Sequence, residues 1–192
     1  MNVSDKYKLL WFANPRSASR SIHSIIWNSL EFKNIYDLNC STYTHEVVYD
    51  DSIYNDYKII LCIRNPYSKY VSTWQWMYDE NEYNTFEKYV FSDYNWTDVE
   101  FAVIEICKKY NRNIEYIIKY ENIDVDICKL PYDLNFNLIK ENSCKSNIKR
   151  LNDGKYSDYK FYYNQQLADI VFERNQNIFD FFGYERDSWK YL

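Results

Sequence analysis

Two short segments of the sequence combine arginines with small hydroxyl residues. The first, Asn14-Pro15-Arg16-Ser17-Ala18-Ser19-Arg20-Ser21, lies between an apolar run and a helical pattern. Backbone N–H groups at a helix start, hydroxyl donors and guanidinium groups together favour an anion, with phosphate or sulfate the natural guest. The segment holds no glycine and no G-x-x-x-x-G-K-[ST] pattern, so it is not a Walker-type loop. The second segment runs from Arg64 to Ser72 (RNPYSKYVS) and also follows an apolar run; Ser68 and Ser72 lie four apart and share one helix face. An ordinary helix start with exposed arginines competes for the first segment. Two such segments at one edge of an α/β sheet, where open folds of this class bind ligands, fit a ligand with two separate phosphate-like groups.

The elements that position these residues follow from apolar spacing. Lys8 to Ala13 (KLLWFA) predicts a buried strand broken at Asn14-Pro15. Ile22, Ile25, Ile26 and Leu30 then predict a helix from Ser17 to about Phe32, with Ser17 or Ser19 near its start. Ile35 to Leu38 reads as a short second strand, and Tyr57 to Ile63 (YKIILCI) as a central strand buried on both faces. Asn65 suits an N-cap and Pro66 the first helical position, giving a helix from Pro66 to about Tyr78. Val99, Ala102, Val103, Ile106 and Tyr110 mark a further helix, and Ile114 to Tyr120 another buried strand. Lys140 to Asp158 is polar and without periodicity, a loop long enough to imply a purpose. Leu167, Ile170, Val171, Ile178, Phe181 and Phe182 trace a last long helix closed by Gly183. Strands alternating with helices predict one α/β domain over residues 1–192, with a central, mostly parallel sheet flanked by helices.

Composition narrows the classes of partner. The chain has 192 residues, 46% of them hydrophobic, and a formal net charge of −5, as expected of one globular domain. A sequence pI of about 5.1 argues against general nucleic-acid binding, so an anionic ligand must be held by local geometry. The five cysteines (Cys40, Cys62, Cys107, Cys128, Cys144) form no C-x-x-C pair, and with two histidines they support neither a zinc site nor a disulfide framework. Met1 is followed by polar Asn2, Ser4 and Asp5, and no apolar run reaches membrane-spanning length. A soluble, cytoplasmic protein without a membrane partner is expected.

The sequence resembles the sulfotransferases that use 3′-phosphoadenosine-5′-phosphosulfate (PAPS). Pro15 to Ser21 resembles their P-[KR]-[ST]-[GA]-[ST]-x-[SW]-like loop, and Arg64 to Ser72 meets R-[DN]-P-x-x-[RK]-x-x-S at every defined position. Lys119-Tyr120-Glu121-Asn122-Ile123 is similar to the family's R-Y-E-[DN]-L. The stretch from Asn152 to Tyr159, with Tyr162-Tyr163 and Phe182-Gly183-Tyr184, resembles the tail of small, soluble, carbohydrate-type members. The resemblance implies a P-loop-like three-layer fold. It also implies that Arg16, Ser17, Ala18, Ser19, Arg20 and Ser21 cradle the 5′-phosphosulfate and that Arg64 and Ser72 hold the 3′-phosphate. Arg150, Asn152 and Lys155 would lie on a segment closing over the nucleotide. Two positions depart from the family pattern: the usual lysine is Arg16, and the usual glycine is Ala18.

The resemblance further implies a general base between the second strand and the strand before Arg64, in the interval that holds His45 and Glu46. Imidazole, with a pKa of about 6.5, accepts a proton at neutral pH, which favours His45 and leaves Glu46 as the alternative. The acceptor hydroxyl, on a carbohydrate or small molecule, would attack sulfur in line. Arg16 and the helix N-terminus would stabilise charge on the departing phosphate, with PAP as product and no metal. His23 reads as structural, and of Trp74, Trp76 and Tyr78 some should pack in the core while others are placed to stack on an acceptor. The rival readings are a P-loop-type small-molecule or nucleotide kinase and a catalytically silent PAP- or nucleotide-binding module.

Overall fold

The computed structural model describes residues 1–35, 47, 49–78, 83–92, 98–132, 134 and 159–191. In chain order the first elements are β1 (Asn2–Ser4), β2 (Leu9–Phe12), α1 (Ser19–Ile26), β3 (Lys33–Asn34), α2 (Asp51–Tyr54) and β4 (Lys58–Ile63). They are followed by α3 (Pro66–Tyr78), α4 (Phe86–Phe91), α5 (Asp98–Tyr110), β5 (Tyr116–Lys119), α6 (Ile123–Asp126) and α7 (Gln165–Phe182). Short 3-10 turns cover Tyr120–Asn122, Ile127–Lys129, Tyr159–Tyr162 and Ser188–Lys190. The chain divides into two compact units, Met1–Ile63 with Val99–Lys145 and Arg64–Asp98 with Ser146–Leu192.

The first unit is built on a five-stranded sheet in the order β3-β1-β2-β4-β5. β4 pairs in parallel with β2 on one side and β5 on the other, and everything in it after Lys58 is buried, as its unbroken apolar run requires. Side chains alternate across a strand. Leu9, Trp11, Ile60, Cys62 and Ile118 accordingly share a core with Ile22, Ile25 and Ile26 of α1.

The sheet is mixed, not mostly parallel, because β1 pairs antiparallel with both β2 and β3. β1 carries no apolar signature. Its polar side chains are buried against backbone, Asn2 Nδ2 donating to the Trp11 carbonyl at 3.0 Å and Ser4 Oγ to that of Leu30. A short strand lies at Lys33–Asn34; of the expected strand Ile35–Leu38, residues 36–38 lie outside the described residues. The buried strand expected over Ile114 to Tyr120 is shortened to Tyr116–Lys119, with only Ile118 buried. α1 is shorter than its apolar spacing predicts, ending at Ile26 and not near Phe32. Glu31 turns left-handed at φ 53°, and Leu30 and Phe32 reach the same core from the turn beyond the helix. The apolar rhythm therefore outlasts the helix.

In the second unit, α3 has the predicted bounds, Pro66–Tyr78. The Asn65 carboxamide oxygen accepts the Tyr67 N–H at 3.0 Å, which starts the helix there. Thr85 and Asn164 cap α4 and α7 in the same way. Gly183 ends α7 at φ 67°, a left-handed conformation that favours glycine. The core is largely aromatic: Phe86 makes edge contacts with Trp74, Tyr162 and Tyr163, while Tyr67 lies edge-on to Tyr163 and Phe179. α7 is interrupted at Asn175, which leaves helical φ/ψ and whose buried Nδ2 donates to the Val171 carbonyl at 2.8 Å.

Among the described residues no helix is long and apolar enough to cross a membrane. The architecture is α/β, a five-stranded mixed sheet with helices.

Candidate functional site

β2 and β4 are parallel neighbours, with Phe12 opposite Leu61, so both strands run out at the same edge of the sheet. Asn14 fixes the loop that follows β2. It is fully buried and donates from Nδ2 to the Cys62 carbonyl at 3.0 Å, while its own carbonyl accepts the Ser17 N–H at 3.3 Å. Cys62 is enclosed, and burial pushes its thiol up to about 12, which leaves it no nucleophilic role at neutral pH.

The loop then takes an unusual course. Arg16 and Ala18 both adopt left-handed backbone conformations, with φ 61° and 63°, on either side of Ser17. Ala18 is the N-cap of α1 and supplies no capping hydrogen bond, and the first turn carries no acidic residue. A left-handed residue followed by a helical one turns successive N–H groups toward a common side, the concave arrangement that binds anions. Ser17 is 1% exposed, and its hydroxyl has no hydrogen-bond partner. A buried hydroxyl left unpaired is costly, and this one lies in the loop that the two left-handed residues shape. Ser19 is buried, Arg16 and Ser21 are partly buried, and Arg20 is exposed. Arg16, Ser17 and Ala18 thus form the turn, and Ser19, Arg20 and Ser21 open α1.

His23 belongs to the packing of α1. Its ring lies 4.8 Å from that of Trp27 and 6.4 Å from that of Trp11, in keeping with a structural role.

The Arg64–Ser72 segment lies in the second unit and has its own order. Arg64 donates from Nε to Ser68 Oγ at 2.7 Å, and Ser68 Oγ donates in turn to the Asn65 carbonyl at 3.2 Å. Asn65 is itself fully buried, its Nδ2 donating to Ser188 Oγ at 2.8 Å. Tyr67, whose hydroxyl donates to the Arg186 carbonyl, is pushed up by burial, and its own carbonyl accepts from Tyr163 at 2.9 Å. Ser72 is partly buried one turn beyond Ser68, and Lys69 is buried. Sequence spacing placed Ser68 and Ser72 on one face but gave no reason to single out Ser68. Its i, i+4 distance from Arg64 was the available signal.

Trp74 and Trp76 are sorted by the structure: Trp74 packs edge-on against Phe86 and Tyr162, while Trp76 is exposed. Lys119 closes β5, and its N–H is accepted by Asp126 Oδ2 at 2.9 Å. His45, Glu46, Arg150, Asn152 and Lys155 lie outside the described residues, as does the segment 140–158. Among the described residues no group of His, Cys, Asp and Glu side chains could hold a metal ion. No protein family, curated protein or solved structure matches the chain.

Proposed function

We propose that this chain is a PAPS-dependent sulfotransferase with a P-loop-like three-layer architecture, transferring a sulfuryl group to an acceptor hydroxyl on a carbohydrate. The observation that carries the reading is the Ser17 hydroxyl, buried without a partner in a loop whose two left-handed residues flank it at the start of α1. That is the donor set a phosphosulfate requires, and Arg16 and Arg20 add positive charge to a chain whose net charge is −5. The motif running from Arg64 to Ser72 assigns those two residues to the 3′-phosphate, the group that separates PAPS from ATP.

PAPS supplies the sulfuryl group when bound. His45 would take the proton from the acceptor hydroxyl, with Glu46 the alternative base, for attack on the sulfuryl group that bound PAPS would supply. Arg16 and the N–H groups at the start of α1 hold the negative charge left on the phosphate of PAP. The family resemblance assigns Arg150, Asn152 and Lys155 to nucleotide binding. The reading places the protein in the cytoplasm.

The test is transfer of label from [35S]PAPS to a panel of sugar and small-molecule hydroxyl acceptors, with and without magnesium. Magnesium-independent transfer that His45→Ala lowers by about 100-fold or more is expected, a typical general-base contribution. PAP binding without transfer to any acceptor, unaffected by His45→Ala, would instead mark a silent binding module.

A further inference from the structure

The arginine assigned to the 3′-phosphate does not stand alone. Arg64 Nε donates to Ser68 Oγ at 2.7 Å, one helical turn on, and that oxygen donates to the Asn65 carbonyl at 3.2 Å. Ser68 is 3% exposed, so water does not compete for this pair, and Asn65 is anchored through Ser188 and the Tyr67 N–H. The hydroxyl therefore has one rotamer that serves both bonds, receiving the arginine and giving its proton to the start of α3. A guanidinium is planar, so fixing Nε fixes the plane in which its terminal nitrogens lie. Fork-like recognition of a phosphate depends on that plane being set before the ligand arrives.

We propose that Ser68 is a positioning residue for Arg64, pre-orienting the guanidinium toward a ribose 3′-phosphate. The inference rests on the proposed reading of Arg64 as the 3′-phosphate ligand. Ser68 touches the arginine and the helix start, not the nucleotide, so its effect is confined to ligands that carry the 3′-phosphate.

Calorimetric titration of the full chain with PAP and with 5′-AMP, which lacks that group, isolates the effect. Wild type is expected to prefer PAP. Ser68→Ala should cut that preference about tenfold while leaving 5′-AMP affinity unchanged, and Ser68→Thr, which keeps the hydroxyl, should restore it. In an Arg64→Lys background, which keeps a charge but has no Nε, Ser68→Ala should have no further effect. Ser68→Ala binding PAP as wild type does, losing both ligands equally, or losing PAP to the same degree in the Arg64→Lys background would overturn the proposal. Wild type showing no preference for PAP would remove the parent reading itself, a distinct result from failure of Ser68 alone.

Discussion

On the proposed reading, Ser17 ties stability and binding together with opposite signs. Its hydroxyl is buried and unpartnered, a state that costs a protein about 1–3 kcal/mol. Ser17→Ala should therefore leave the free protein as stable as before or raise it by about 1 kcal/mol in a urea titration, while weakening PAP binding about tenfold. Loss of stability in the free protein would show that the hydroxyl serves the fold. In the sequence, arginine and serine between a strand and a helix point to an anion, with an ordinary helix start as the rival reading. The hand of the loop's backbone was not legible there. Arg16 and Ala18 carry a Cβ, which disfavours positive φ by about 1–2 kcal/mol, so nothing in their identity predicted it. The sequence presents Ala18 as a departure from a glycine, and the structure gives it the left-handed conformation that glycine adopts most easily.

At the scale of elements, local chemistry was readable wherever one residue type fixed a boundary. Asn65-Pro66 placed the start of α3 and Gly183 the end of α7 because each satisfies a helix terminus by its own geometry. β1 could not be found this way, since Asn2 and Ser4 are buried through bonds to distant backbone, and three residues are too few for a period. The kink at Asn175 was equally hidden, since an asparagine within a helical pattern does not announce one. Another such tie has a measurable pH signature. Burial pushes the Asp126 carboxyl up, but the Lys129 ammonium at 2.7 Å and the Lys119 N–H together outweigh this and hold it below its usual range. A carboxyl lowered on folding adds stability that is full above its unfolded pKa of about 3.9 and is lost as pH falls through the lower folded value. Asp126→Asn should thus lower stability at pH 7 and flatten its acid decline between about pH 5 and about pH 2. An unchanged acid limb in chemical denaturation would show that this tie between the end of β5 and α6 contributes nothing.

For the molecule as a whole, the apolar runs gave the class, α/β, since β2, β4 and β5 are each apolar and each followed by a helix or helical turn. They overstated the parallel share because the antiparallel strand β1 was invisible to them. The acidic balance sharpens the functional question. A chain with a net charge of −5 repels a polyanionic nucleotide at long range, so on the proposed reading affinity comes from donors fixed in place: Ser17 and the N–H groups at the start of α1, and Arg64 held by Ser68. On that reading, Arg64 and Ser72 recognise a 3′-phosphate. The most direct measurement is calorimetric titration with PAP, with ADP as the control ligand and Arg64→Ala as the control protein. PAP binding at least tenfold tighter than ADP binding, with that preference abolished by Arg64→Ala, is the predicted result. Equal affinity for the two nucleotides, or a preference for PAP that survives Arg64→Ala, would contradict it.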